Sequence, residues 1–199
     1  MVPGSGDEWV SDLATRLALA TPSDRIRGMF VRSVQEVLGV LGDEALLRRC
    51  HPLWAREPFV ELFYYPIRLQ LEVLALVIEP LGARHGGRAR VLRMMGLQCA
   101  RDFLASYTGR ALRVSAGGEP KRMVELGPTG YQFAVSGGTH ALRWLGPTRC
   151  VWSMRRDFMP APFHEGIILG LLKESRAREV RVHGEQVGML DGDYDISWR

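Results

Sequence analysis

The hydrophobic period of this chain changes once, and that change limits the folds open to it. From Ile26 to about Leu126 apolar residues recur at helical spacing. After Gly127-Pro128 they alternate. A period of 3.6 followed by a period of 2 predicts helices first and strands second, which is an α+β layout with segregated layers rather than an alternating parallel one. With 199 residues, the chain is expected to form a single domain. Residues 1–20 read as an N-terminal extension, 21–126 as the mainly helical part, and 127–199 as an antiparallel sheet with one helix over 162–175.

Within the first part, Trp9 to Leu19 reads as a short amphipathic segment. Thr21-Pro22-Ser23-Asp24 reads as a helix start. Ile26, Phe30, Val34, Val37 and Leu41 share one stripe, and Gly42 ends it. Glu44 to Cys50 is a further short helix. Ile67 to Ile78 is apolar on nearly every face, as befits a helix covered all round, and Pro80 and Gly82 are expected to stop it. Arg84 to Arg90 reads as a basic loop and Val91 to Ala105 as a helix. Arg110 to Val114 and Pro120 to Leu126 read as short helical turns. In the second part, Tyr131 to Val135 reads as a strand turned at Gly137-Gly138 into Thr139 to Leu145. Arg149 to Asp157 follows after Gly146-Pro147. The rigid Met159-Pro160-Ala161-Pro162 leads to the helix, in which Gly166 and Gly170 leave one side thin enough for another backbone. Val180 and Val182, then Tyr194, Ile196 and Trp198, mark the last two strands.

Composition narrows the function. Charged residues are 24% of the chain and the net charge is +4. The arginines are dispersed, without a run of like charge or interleaved aromatics, so no nucleic-acid partner is expected. Cys50, Cys99 and Cys150 lie far apart and read as reduced thiols, with Cys99 and Cys150 on apolar stripes as small core residues, and the first eight residues lack the charge and apolar pattern of a leader. The longest apolar run, Val73 to Ile78, is far shorter than the roughly 20 residues of a membrane span. The expected location is cytoplasmic.

Catalytic and metal constellations are weak. Cys50-His51 has no partner pair at zinc-ligand spacing. His164-Glu165 at a helix start offers a general base beside an acid, although the helix dipole alone accounts for the acid. No phosphate loop, nucleophile elbow or dinucleotide glycine pattern occurs. The chain is therefore expected not to be an enzyme. Ser153 and Arg155 share one side of a strand and suit a carboxylate or phosphate, or else Arg155 pairs with Asp157 or Asp195. Trp152, Tyr64 and Phe63 belong to aromatic stripes that read as core or as the wall of an apolar cavity. The candidate ligand-binding set is thus Ser153, Arg155, Trp152, Tyr64 and Phe63.

Two resemblances arise from these residues. The phrases Arg27-Gly28-Met29-Phe30, Phe63-Tyr64-Tyr65-Pro66, Arg155-Arg156-Asp157-Phe158-Met159-Pro160, His164-Glu165-Gly166 and Asp193-Tyr194-Asp195-Ile196-Ser197-Trp198 resemble a paralogous family of myxobacterial proteins without assigned activity. More distantly, the C-terminal order of strand, helix, strand, strand is similar to haem-dependent nitric-oxide-sensing domains, four-vinyl-reductase sensor domains and TRAPP subunits. That resemblance implies a helical layer packed on an antiparallel sheet with one crossing helix. It also implies a Tyr-x-Ser-x-Arg strand and an upstream His where haem is held. Ser153 and Arg155 match the last two positions, Val151 stands for the Tyr, and Pro120 to Thr139 contains no His. His140 is too near the strand, while His85 and His51 are too far from it. The expectation is a sensory or adaptor domain without a cofactor. It would hold a small apolar or amphipathic molecule or a partner protein, or act as a homodimeric scaffold, with a haem-based sensor as the remaining alternative.

Overall fold

A computed structural model describes residues 6–54 and 58–199. The first five residues, read above for leader character, lie outside it. Helix α1 (Gly6–Leu19) precedes a short strand β1 (Arg25–Arg27) and helix α2 (Gly28–Leu41). Then come α3 (Glu44–Cys50), a 3₁₀ turn at His51–Trp54, β2 (Tyr64–Pro66), and the long pair α4 (Ile67–Arg84) and α5 (Arg88–Ala105). Helices α6 (Tyr107–Ala116) and α7 (Pro120–Ala134) complete the helical part. It is followed by β3 (Val135–Ser136), β4 (Thr139–Gly146), β5 (Arg149–Arg155), α8 (Ala161–Lys173), β6 (Arg181–Gly188) and β7 (Asp191–Ser197). The expected α+β order holds.

Four predicted details change. Thr21–Asp24 does not start a helix: Asp24 accepts hydrogen bonds from the Thr21 N–H and hydroxyl and closes a turn, so Ile26 sits on β1. Helix α4 does not stop at Pro80 but runs four residues past it. An interior proline costs about 3 kcal/mol, yet Val77, Ile78 and Leu81 are all buried around it. Each contributes about 1.5–3 kcal/mol on burial, which outweighs the lost hydrogen bond. Helix α7 likewise passes through Pro128 to Ala134. Met123, Val124, Gly127, Gly130, Tyr131 and Ala134 are its buried stripe, and the alternation of Tyr131, Phe133 and Val135 is a coincidence of that stripe's end. The helical part therefore ends at 134 rather than 126. Finally, Gly137 and Gly138, at φ +95° and +75°, do not close a hairpin: they carry the chain from one sheet to another.

The small sheet has order β2-β1-β3, and the main sheet, order β4-β5-β7-β6, is antiparallel throughout. Its inner face presents Cys150, Trp152, Met154, Tyr194 and Ile196, all buried. Helix α8 lies across this layer against α5. The crossing is close because it is glycine on both sides. A Cβ at Gly96 would strike the Phe163 carbonyl, one at Gly166 the Arg93 carbonyl, and one at Gly170 would come 2.5 Å from the Ala100 Cβ. The thin side expected of Gly166 and Gly170 is where α5 packs. Helix α1 is also held by the domain, with Leu13 in the core and Arg16 buried. The Arg16 guanidinium donates to the carbonyls of Asp157 and Met159 and to Gln186.

Candidate functional site

The corner after β5 builds the site. Arg156 takes a left-handed turn (φ 55°) that drops Asp157 into the interior. Pro160 and Pro162 then start α8, where a missing N–H costs nothing, and His164 follows one turn in. The His164 ring is fully buried, and its Nε2 lies 2.6 Å from Asp157 Oδ1. Asp157 Oδ1 also accepts the Met159 N–H at 2.9 Å, and Oδ2 accepts the hydroxyl of Tyr131 from α7. One carboxylate thus joins three segments: α7, the β5–α8 connector and α8.

Burial alone would raise the Asp157 carboxyl. The neighbouring His164, the Tyr131 hydroxyl and the Met159 amide together hold it below the ordinary carboxylate range. Burial, and then Asp157 itself, push the Tyr131 hydroxyl well up, so it stays a donor. His140 on β4 packs against Tyr131, ring centroids 4.2 Å apart and planes tilted by 45°, and accepts the Trp152 indole N–H at Nδ1, 3.2 Å away. Burial pushes its imidazole down to about 4, so the ring is neutral.

Beside this network lies an apolar cavity of about 50 Å³. Phe30, Phe103, Phe163, Ile167 and Leu171 wall its helical side, Trp152 its sheet side, and Tyr131 and His164 its polar end. It is far smaller than the several hundred cubic ångströms of a usual small-molecule pocket. The reason is Trp152. Its indole packs so tightly under α7 that a Cβ at Gly127 would lie 2.5 Å from the ring.

The predicted site residues divide. Trp152 lines the cavity. Ser153 and Arg155 alternate to the opposite face of β5, away from it, since side chains of a strand switch faces at each residue. Arg155 pairs there with Asp193 at 2.7 Å, not with Asp157 or Asp195. Tyr64 lies on β2 under the guanidinium of Arg27, 4.4 Å from its centroid, and Phe63 is 64% exposed beside it. His164 and Glu165 do not converge: Glu165 turns to Arg93 (2.6 Å) and to the Gly184 N–H (2.9 Å). Cys50 is buried while His51 is exposed. Among the described residues no group of three or more His, Cys, Asp and Glu is arranged to hold a metal ion, and no helix is long and apolar enough to cross a membrane. Sequence alone offers Asp157 only as a partner for Arg155, sets His140 too near the strand for a haem ligand and puts Tyr131 on a strand, because only folding brings positions 131, 140, 157 and 164 together.

A family model described as "Protein of unknown function (DUF2378)" matches residues 19–199. No curated protein matches the sequence. Among solved structures, an H-NOX protein from S. oneidensis in the Fe(II)NO ligation state is similar at a TM-score of 0.66 and 9% identity. The match covers 87% of this chain and 99% of that one. An Fe(II) unliganded H-NOX protein from K. algicida is similar at 0.65 and 13%, over 87% and 97%. At such identities the likeness is one of fold.

The fold family raises the question of haem, and the residues here do not fit it. Helix α7 carries no histidine. The Ser153–Arg155 step faces away from the cavity. The cavity itself is well below the roughly 300–1,000 Å³ usual for cofactor-sized ligands.

Proposed function

The chain belongs to the family of proteins of unknown function DUF2378, and we propose that it is a non-catalytic sensory or adaptor domain that holds a small, mainly apolar molecule. The observation that supports this reading is the apolar cavity where α2, α5, α6, α7 and α8 meet the sheets, so that both layers of the fold line one volume. A molecule placed there touches the wall of Trp152 and the end of the Tyr131–Asp157–His164 network, so its arrival is felt on both layers. The lineage is read as myxobacterial and the location as cytoplasmic.

Crystals held under xenon pressure test the reading. Xenon is expected inside the cavity between Trp152 and Phe103. Xenon bound only at the surface, or nowhere, would overturn it. Haemin added to the purified protein is expected to give no sharpened Soret band, and a saturable one would reinstate the haem-based sensor.

A homodimer, or docking of a partner protein, is the second reading. It is favoured by Leu62 and Phe63, 54% and 64% exposed in succession beside the edge strand β2. Light scattering that gives a strict monomer at micromolar concentration counts against the homodimer.

A further inference from the structure

His164 is buried with one ring nitrogen satisfied and one not. Nε2 faces Asp157, while Nδ1 is enclosed and has no hydrogen-bond partner among the described residues. The ring lines the cavity, whose other walls are almost wholly apolar. A buried polar atom left unpaired costs free energy comparable to a hydrogen bond or more, and such atoms are rare in folded proteins. The orientation of the ring is set from behind. Asp157 Oδ1 faces Nε2 and also accepts the Met159 N–H, while Oδ2 accepts the Tyr131 hydroxyl, so the carboxylate is placed as the acceptor of a hydrogen on Nε2. A ring that carries its one hydrogen on Nε2 presents Nδ1 as a bare lone pair, an acceptor without a donor.

We propose that the cavity selects a small apolar molecule carrying one O–H or N–H group, which donates its hydrogen to His164 Nδ1. This rests on the cavity reading above and narrows it. The volume limits the size. At roughly 10–15 Å³ for each water-sized site, about 50 Å³ admits a molecule of about three to five non-hydrogen atoms without rearrangement. The apolar walls of Phe30, Phe103 and Ile167 receive its body and His164 its polar atom. Tyr131 and Asp157 act as positioning residues: they hold the acceptor without touching the ligand.

Pyrrole and furan, rings of five non-hydrogen atoms that differ in N–H against O, make the test. Titration of the ¹⁵N-labelled protein with each is expected to show pyrrole binding about threefold to tenfold more tightly, the effect of one added hydrogen bond. In the same spectra the Nδ1 resonance of His164 is expected to begin at an unprotonated position and to move with pyrrole but not with furan. An Nδ1 that begins protonated, equal affinity for the two rings, or an Nδ1 indifferent to pyrrole overturns the donor selection while leaving the cavity reading standing. No binding of either ring, together with no xenon in the cavity, overturns both.

Discussion

The two faces of β5 carry the same kinds of groups and use them differently. On the outer face Arg155 meets Asp193 at 2.7 Å and Arg149 meets Asp195 at 2.5 Å, with solvent reaching all four side chains. On the inner face Asp157, just beyond the strand, and His164 meet at 2.6 Å with almost no solvent at either. Water screens the outer pairs and makes them nearly interchangeable. Its exclusion makes the inner pair costly to break, because a surviving partner has nowhere else to turn. The comparison separates surface decoration from organisation: a Ser-x-Arg step invites a binding role by residue type, while strand alternation assigns it to the solvated side.

Breaking the inner face should have the largest effect. Trp152→Ala removes the largest side chain of the sheet's buried layer and leaves His140 Nδ1 without its donor. It is expected to lower the unfolding free energy by about 4–5 kcal/mol, at the upper end for a buried large-to-small change, as read by urea denaturation. The cavity should grow as well, so a variant that remains folded is expected to take up larger apolar molecules. Asp157→Ala comes next. It strands the Tyr131 hydroxyl, the Met159 amide and the His164 ring in one step, for an expected loss of about 3–4 kcal/mol. A loss below about 1 kcal/mol in the same titration would place Asp157 with the outer-face charges and dissolve the comparison.

His140 sharpens the contrast through pH. Its imidazole titrates near 4 in the folded chain against an ordinary 6.5. A depressed value means that the unfolded chain takes up the proton first, so stability is whole above about pH 6.5 and falls as the pH drops toward 4. The ring is only partly enclosed, which reduces the full linkage to about 2 kcal/mol. His140→Phe is expected to flatten the pH dependence of the urea midpoint across that window. Asp157 acts in the same sense at lower pH. Its depressed carboxyl stabilises the fold above its unfolded value near 4, and that contribution goes as the pH falls through the folded one. An unchanged slope in His140→Phe would show that the ring is solvated and that the inner face extends no further than Tyr131.

Most of the architecture was legible because burial is periodic. The stripe of α2, the all-round apolar α4, and the strands that became β4, β5 and β7 follow directly from spacing. The misread helix ends share one cause. Pro80, Pro128 and the alternation of Tyr131 with Phe133 are local signals for stopping or for strand, and in each case tertiary burial of a continuing helical stripe outweighed them. The misplaced strand then hid the site. Once Tyr131 is assigned to a strand, nothing connects it with Asp157 and His164, which lie 26 and 33 positions away. Trp152 alone of the candidate ligand-binding residues was placed on the cavity wall, because one-residue alternation with Cys150 and Met154 already put it on the apolar face. The same alternation, applied to Ser153 and Arg155, would have removed them from that wall.

The smallest expected effect is on the outer face, and it is the control on which the comparison depends. Arg155 donates to the carbonyls of Met154 and Gly192 and forms an ion pair with Asp193, so it ties β5 to β7 at their ends rather than holding anything in the cavity. Arg155→Ala is expected to cost under about 1 kcal/mol, the range of exposed ion pairs, and most of that should vanish in high salt, where charges near the surface are screened. Pyrrole affinity should be unchanged, because the side chain projects from the face of the sheet opposite His164. A drop in pyrrole affinity of tenfold or more in Arg155→Ala, with stability intact, would mean that the two faces communicate through the strand. The division drawn between them would then have to be abandoned.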